Sequence, residues 1–517
     1  MKGRQVGVVT VLLLSMIGCW FTRTWAYEWK RNAPGELAAG QGGVISSMNS
    51  FALGLMLGGL RGPLVMFLWS KVENQKIDRD LEDIDTMIEW IRLLQPEFDT
   101  VHIFQIWNKA YNLSVMMASP ASKYTTILDA IDYARRVEAD RPGDINILAQ
   151  LSQVYSEKLG GKNVTEHAFY RRQFREDTLT DASRARAFPE DARRSRLGLR
   201  FVDPSKNGPI LDENDNLLPQ FVTPKKPRPA NIPPTSDWND GSELQYLKKY
   251  EPFPYGVSAT AIGYNFAKRA QVSMTVGGQQ PLQVSDSVID SRPGITLKEW
   301  AEAEADDGVV YEAKAFAIAA DPDSKENENR TAPVRPGQTP VDPAALHAAV
   351  YHYGLSSRLA EDATAQYQRH LNNPQYLNRF TLYQSHLDEL TAVRLLSFAD
   401  HEYLASFEPG ADQPKLLKSA ADYYQNASLA YARIILMYYI DDNIVDQTFP
   451  PGYKRANLSQ LPDPQVMPLL ARAIQATLAS GQHLHDDDRD DYLTYLKRAQ
   501  IRLKLIGEPA PATGSGL

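Results

Sequence analysis

Ser119-Pro120-Ala121-Ser122-Lys123-Tyr124-Thr125-Thr126-Ile127-Leu128-Asp129-Ala130-Ile131-Asp132-Tyr133-Ala134-Arg135-Arg136-Val137 is the stretch that decides the fold class. Ser119 is an N-cap residue and Pro120 suits the first helical position, where its missing N–H costs nothing. Tyr124, Ile127, Leu128, Ile131, Ala134 and Val137 then recur at three- and four-residue spacing, which puts them on one face of a helix. Arg141-Pro142-Gly143 stops the pattern, and Asp144 caps a second helix carrying Ile147, Leu148, Leu151, Val154 and Tyr155 up to Gly160-Gly161. Two short amphipathic helices joined by a Pro-Gly turn predict a helical hairpin.

The same punctuation extends in both directions. Upstream, Ile84, Met87, Ile88, Ile91 and Leu94 form a stripe among charged residues, closed by Pro96. Ile103, Phe104, Ile106, Trp107, Ala110, Tyr111 and Ser114 form a wider one, on which Trp107 is expected to pack inside the hairpins. Downstream, Asp342-Pro343 repeats the cap, and Leu417, Ala420, Tyr424, Ala427, Tyr431, Ile434 and Tyr438 make the strongest stripe of the C-terminal half. Further helices are expected around 469–478 and 492–505. Trp107, Tyr111, Ala130 and Pro142 stand where a tetratricopeptide repeat has its large, small and terminal proline residues, with an insertion near 117–122. The expectation is a mainly α chain: an irregular tetratricopeptide-like α-solenoid of helical hairpins, with an N-terminal membrane anchor and a Pro-rich irregular central region.

The boundaries follow from composition. Residues 1–25 read as a signal-anchor helix, because Lys2 and Arg4 precede an uncharged apolar run and Arg23 follows it. Cleavage near Thr24-Trp25-Ala26 is an alternative, and so is lipidation of Cys19 in a lipobox-like Met16-Ile17-Gly18-Cys19. Residues 26–70 form an apolar connecting element whose 51–69 part is interrupted by Arg61 and Pro63. Residues 71–200 form the repeat-like domain. Residues 201–343 read as irregular, with possible short strands, because Pro224, Pro227, Pro229, Pro233 and Pro234 block helix interiors. Residues 344–507 form a second helical domain, and 508–517 a Pro/Gly/Ser-rich flexible tail.

Several function classes drop out. The formal net charge of −8 lacks the basic surface that nucleic-acid binding needs, so no nucleic acid is expected as a partner. One cysteine excludes an intramolecular disulfide, a Cys-based zinc site and an iron–sulfur centre. No nucleophile elbow, phosphate loop or His-Glu-x-x-His helix occurs. His483-Leu484-His485-Asp486-Asp487-Asp488 is read as an acidic turn before a helix, and Asp212-x-Asn214-x-Asn216 as a hairpin turn. His352, His370, His386 and His401 are read as packing or surface residues, and Glu302, Glu304, Asp306 and Asp307 as a solvated helix face. No cofactor or metal is therefore expected. Arg171, Arg172, Arg175, Arg193 and Arg194 concentrate positive charge and are a candidate docking face for an acidic partner, unless neighbouring acids neutralise them.

Phe253-Pro254-Tyr255-Gly256-Val257, Ala261-Ile262-Gly263-Tyr264-Asn265-Phe266-Ala267-Lys268-Arg269, Asp290-Ser291-Arg292-Pro293 and Leu297-Lys298-Glu299-Trp300 form a distinctive block. With Gly59-Leu60-Arg61-Gly62, Leu94-Gln95-Pro96 and Trp107-Asn108-Lys109-Ala110-Tyr111-Asn112, it resembles an uncharacterised membrane-anchored envelope protein family of planctomycete-type bacteria over roughly residues 55–300. The resemblance implies a tetratricopeptide-like architecture on the outer side of the membrane and no particular activity. Three functions remain open: an envelope scaffold that binds other envelope proteins, an enzyme with a site around Tyr264, Asp286, Asp290 and Arg292, or a solute- or glycan-binding protein that uses the tyrosine-rich C-terminal half. The scaffold is the leading expectation.

Overall fold

A computed structural model describes residues 65–71, 87, 90–91, 99–161, 167–178, 202–203, 208–209, 245–251, 253–277, 286–317, 334–373, 380–450, 452, 455–481 and 487–507. The described part is mainly helical, at 84%. Its extended pairing is a two-residue antiparallel ladder, β1 (Val202–Asp203) with β2 (Gly208–Pro209). Cys19, Arg193, Arg194, the 212–216 turn, His483 and His485 lie outside the described residues, as does the 1–25 anchor. Among the described residues no helix is long and apolar enough to cross a membrane.

The chain divides into two compact units, Met1–Gln105 and Ile106–Leu517. In the first, helix 65–71 (α1) and the start of α2 (Asp99–Trp107) contribute to a small cluster of Val65, Leu68, Met87, Ile91 and Val101. Trp69 meets Phe104 edge-on at 5.1 Å. Met66 and Phe67, on the other side of α1, are 74% and 63% exposed. The end of the apolar connecting element is thus buried on one face only.

The second unit is a succession of antiparallel helices. Its elements are α3 (Pro120–Asp140), α4 (Ile145–Gln153), α5 (His167–Thr178), α6 (Ala259–Gly277), α7 (Asp286–Ala315), α8 (Pro343–Leu371), α9 (Phe380–Ala405) and α10 (Gln413–Ile434). They are followed by α11 (Asp442–Thr448), α12 (Asp463–Ala479) and α13 (Asp487–Gly507). The caps form as the sequence predicts. Ser119 accepts from Ser122 N–H, Asp144 from Asn146 and Ile147, and Asp342 from Ala345. Gly143, with φ +80°, makes the turn after exposed Pro142, and Ala130 is fully buried in α3.

Cross-helix contacts fix the directions. Asp290 of α7 faces His370 of α8, the Ala301 carbonyl accepts from Ser356, and Gly308 lies against the Tyr353 ring. Positions rise along α7 as they fall along α8, so the pair is antiparallel. The same inversion relates α8 to α9, through Tyr367–Tyr383, Ser356–Ser397 and Val350–His401. It relates α10 to α13, through Tyr431–Tyr492 and Tyr424–Arg502. Each long helix packs on its sequence neighbour, and α13 returns to α10.

Among the described residues of 201–343, the expected short strands are present as β1 and β2, and long helix stands where irregular chain was expected. Residues 201–343 contain the 19-residue α6 and the 30-residue α7. The prolines that suggested irregularity, at 224–234, lie outside the described residues, whereas the one inside α7, Pro293, is accommodated. Proline removes a backbone donor, yet α7 runs on through it, and one turn earlier α7 is tied to α6 where Gln271 Nε2 donates to the Asp290 carbonyl at 2.9 Å. No single apolar stripe marks α7 because partners surround it: α6, α8 and, through long side chains, α5, α9 and α13.

Among the described residues, three π-helical segments interrupt the array: Asn108–Leu113, Val154–Leu159 and Ile435–Tyr439. Trp107 stacks on Tyr111 at 6.2 Å and is only half-buried, which corrects its expected place inside the core. The π turn after it changes the side-chain phase from the 3.6-residue spacing on which that expectation rested.

Candidate functional site

The chemistry-bearing residues converge on α7, whose faces each meet a different neighbour. Glu304 sits on the face towards α5 and α8. Its Oε1 accepts from Arg175 Nη2 at 2.7 Å and from Trp300 Nε1 at 2.6 Å, and its Oε2 lies 2.7 Å from His352 Nδ1. Arg175 Nε reaches Asp307 at 2.6 Å, and its Nη1 donates to the Gly256 carbonyl at 3.0 Å. Arg171 pairs with Asp306 at 2.9 Å. Glu304 and His352 are essentially sealed from solvent. Burial alone would raise the Glu304 carboxyl. Arg175 and the His352 hydrogen bond override it and hold the group well below the usual carboxylate range.

Two sequence expectations are corrected together here. Arg171 and Arg175 do not form an outward docking face, and Glu304 and Asp306 do not form a solvated one. Each group neutralises the other across more than a hundred residues of chain. A buried charge is too costly to leave alone, so the two clusters meet in the interior. Of that arginine set, Arg172 is exposed.

Glu304, Asp307 and His352 offer ligand atoms within 4.8 Å of one another, a spacing that a metal ion could use. The donor set does not fit a cation well. The Arg175 guanidinium already bridges both carboxylates, and a divalent ion would have to displace it. His352 Nε2 has no hydrogen-bond partner. Its ring stacks on Tyr311 at 5.1 Å and touches Tyr255 and Tyr351. This is a carboxylate-oriented imidazole held in an aromatic box.

A second ionic cluster ties α13 to α7 and α9. Arg498 lies 3.1 Å from Glu312 and 3.0 Å from Asp400, and Arg502 bonds the same two carboxylates. Tyr353 donates to Glu312 at 3.1 Å and Tyr424 to Asp400 at 2.6 Å. Burial pushes the Glu312 carboxyl up, and Arg502 with Arg498 brings it below its ordinary value. Because Glu312 and Arg502 are 190 positions apart, this cluster closes the C-terminal helices on themselves.

Between the clusters lies a cavity of about 330 Å³, lined by α7, α8, α9, α10, the Ile435–Tyr439 segment and α13. Lys298 stands in its wall between Glu302 at 3.0 Å and Glu389 at 2.9 Å. Burial would raise Glu389, but hydrogen bonding to His386 and the charge of Lys298 lower it to about 2. Ring contacts join Tyr431 to Tyr492 and Tyr495, and Tyr492 to Tyr439.

The four residues singled out as a possible enzyme site do not assemble. Tyr264 packs against Trp300. Asp290 accepts from Gln271 at 2.7 Å, and Arg292 bonds Ser156 and Glu157 at 3.1 and 2.8 Å. Asp286 is exposed at the start of α7. Sequence reasoning missed Glu312, Asp400, Arg498 and Arg502, and read His352 as a packing or surface residue. The available signal was charge in otherwise Ala- and Tyr-rich helices. Local spacing does not reveal partners so distant. Comparison of the chain with protein-family models, curated proteins and solved structures finds no match.

Proposed function

We propose that the protein is a membrane-anchored envelope scaffold: a helical-repeat body of tetratricopeptide-like hairpins, outside the cytoplasm, that binds other envelope proteins. Residues 1–25 hold it to the membrane, as a retained signal-anchor or through lipid on Cys19. The observation that carries the reading is the way the second unit is held together. Successive antiparallel helices are locked by arginines whose carboxylate partners are sealed within the same chain. Such a body is rigid, and rigidity is what a platform needs to bind without paying an ordering cost. Exposed apolar side chains, such as Met66 in the first unit and Val115, Met116 and Leu478 in the second, provide contact points. The resemblance to planctomycete-type envelope proteins supports the same location.

The test is a reporter fused after Leu517, combined with purification of the detergent-solubilised full-length chain. Reporter activity only outside the cytoplasm and stoichiometric co-purification of envelope proteins are expected. Reporter activity inside the cytoplasm would overturn the topology, and a solitary chain at every detergent concentration would overturn the scaffold.

A further inference from the structure

We propose that the interhelical cavity beside α7 binds a neutral sugar, independently of any scaffold role. The charges of its wall are already answered. Lys298 lies between Glu302 and Glu389, and His386 shares Glu389. Arg498 spans Asp400 and Glu312, while Asp306 and Asp400 are met from behind by Arg171 and Arg502. Asp491 is engaged as well. No lone charge is left to pair with an ionic ligand, and an unmatched charge brought into the cavity would lose its hydration without return.

What the wall keeps is hydrogen-bonding capacity. Lys298 uses two of its three N–H donors on the two carboxylates and has one left. Both contacts to Glu389 fall on Oε2, so its Oε1 remains an open acceptor. An ionised carboxylate only accepts, so His386 Nδ1 carries the proton towards it, and Nε2 of the neutral ring is a second open acceptor. The Ser385 hydroxyl donates to the Leu382 carbonyl at 2.8 Å and can still accept. A donor beside several acceptors on α7 and α9 matches sugar hydroxyls, each of which both donates and accepts. The rest of the wall is aromatic. Tyr431, Tyr439, Tyr492 and Tyr495 form a connected set of rings, with centroids 5.3–5.9 Å apart along the chain of contacts. The last three are only half-buried, so ring surface is left for the apolar C–H face of a sugar. Tyr439 reaches the cavity from the last position of the Ile435–Tyr439 π segment, and such segments are frequent at functional sites. Helix bundles place small-molecule sites between facing helices, and about 330 Å³, at the lower end of ligand pockets, suits a single sugar unit.

The experiment uses the full-length protein in a detergent without a sugar headgroup. Isothermal titration is run with glucose, galactose, mannose and N-acetylglucosamine, each free and as its methyl glycoside. Glucosamine and glucuronate are the cationic and anionic controls. At least one neutral sugar should bind saturably at one site, at least about tenfold tighter than either control. Binding of the free form alone assigns a free solute, and binding of the methyl glycoside as well assigns the end of a glycan chain. Tyr492→Ala and His386→Ala should each weaken that sugar about tenfold or more, whereas Tyr492→Phe, which keeps the ring, should stay within about threefold. A thermal melt of each variant separates lost binding from lost folding. Failure of every neutral sugar to saturate would overturn the proposal, as would equal or tighter binding of glucosamine or glucuronate. So would retained affinity in both alanine variants.

Discussion

Glu299 Oε2 and the Glu304 carboxylate sit five positions apart on the same helix and are both closed to solvent, yet their surroundings give them opposite electrostatic characters. Glu304 has both oxygens bonded, to Arg175, Trp300 and His352. Glu299 leaves its Oε2 without a partner, and burial raises its carboxyl despite the nearby Arg292 charge. One carboxylate therefore holds the fold together at neutral pH, and the other strains it.

The first prediction is that Glu304→Gln destabilises the protein while Glu299→Gln does not. Removing one partner of a buried pair costs about 3–5 kcal/mol where the remaining charge is stranded; Arg175 keeps Asp307, so the loss should fall at or below the lower end of that range. At Glu299 the substitution removes a disfavoured charge, so stability at pH 7 should stay within about 0.5 kcal/mol or rise. Urea denaturation of both variants measures this, and equal losses would contradict it.

Much of the fold could be read from the sequence, and the reasons are visible in particular residues. Ala420, Tyr424, Ala427, Tyr431 and Ile434 are all buried on α10, because that helix has one buried face and its periodicity shows. Ser119, Asp144 and Asp342 cap as expected because capping is local chemistry. The site was not legible. Arg175 finds Glu304 129 positions away, and only the packing of α5 against α7 brings them together. Trp107 misled because a π segment begins at Asn108 and shifts the phase on which its inward placement rested.

The second prediction concerns acid. Glu304, Glu312 and Glu389 all have folded-state values below normal. Such groups contribute stability that is fully present above the unfolded value of about 4.3 and is lost as pH falls through the folded one. Glu389 sets the lower end near about 2. Glu299 and Asp388 are raised and act with the opposite sign, but they are fewer. Stability should therefore fall between about pH 4.5 and 2, and Glu389→Gln should flatten that slope. A denaturation midpoint unchanged across this window would contradict the assignment.

Gly256 gives the third prediction. Its φ is +84°, and an added Cβ would run into the Arg175 carbonyl, whose residue also donates to the Gly256 oxygen. Gly256→Ala should cost more than about 1 kcal/mol from the backbone conformation alone, with the steric conflict added. Gly337 has a similar φ of +88° with open space around it, so Gly337→Ala should cost less. Melting curves of the two variants provide the comparison, and equal shifts would show that the contact with Arg175 contributes nothing.

Trp107→Ala is the fourth. A half-buried ring stacked on Tyr111 should contribute less than the about 3–5 kcal/mol of a core tryptophan, and about 1–2 kcal/mol is expected. Chemical denaturation would reveal a core role if the loss reached the larger range.

The scaffold reading is tested most directly by site-specific photo-crosslinking in intact cells. A photoreactive residue is placed in turn at exposed Met66, Met116 and Leu478, and at buried Tyr124 and Tyr424 as controls. The scaffold account predicts discrete adducts with other envelope proteins from at least one exposed position and none from the buried ones. Absence of protein adducts at every exposed position, with the chain present at normal levels in the membrane fraction, would contradict it.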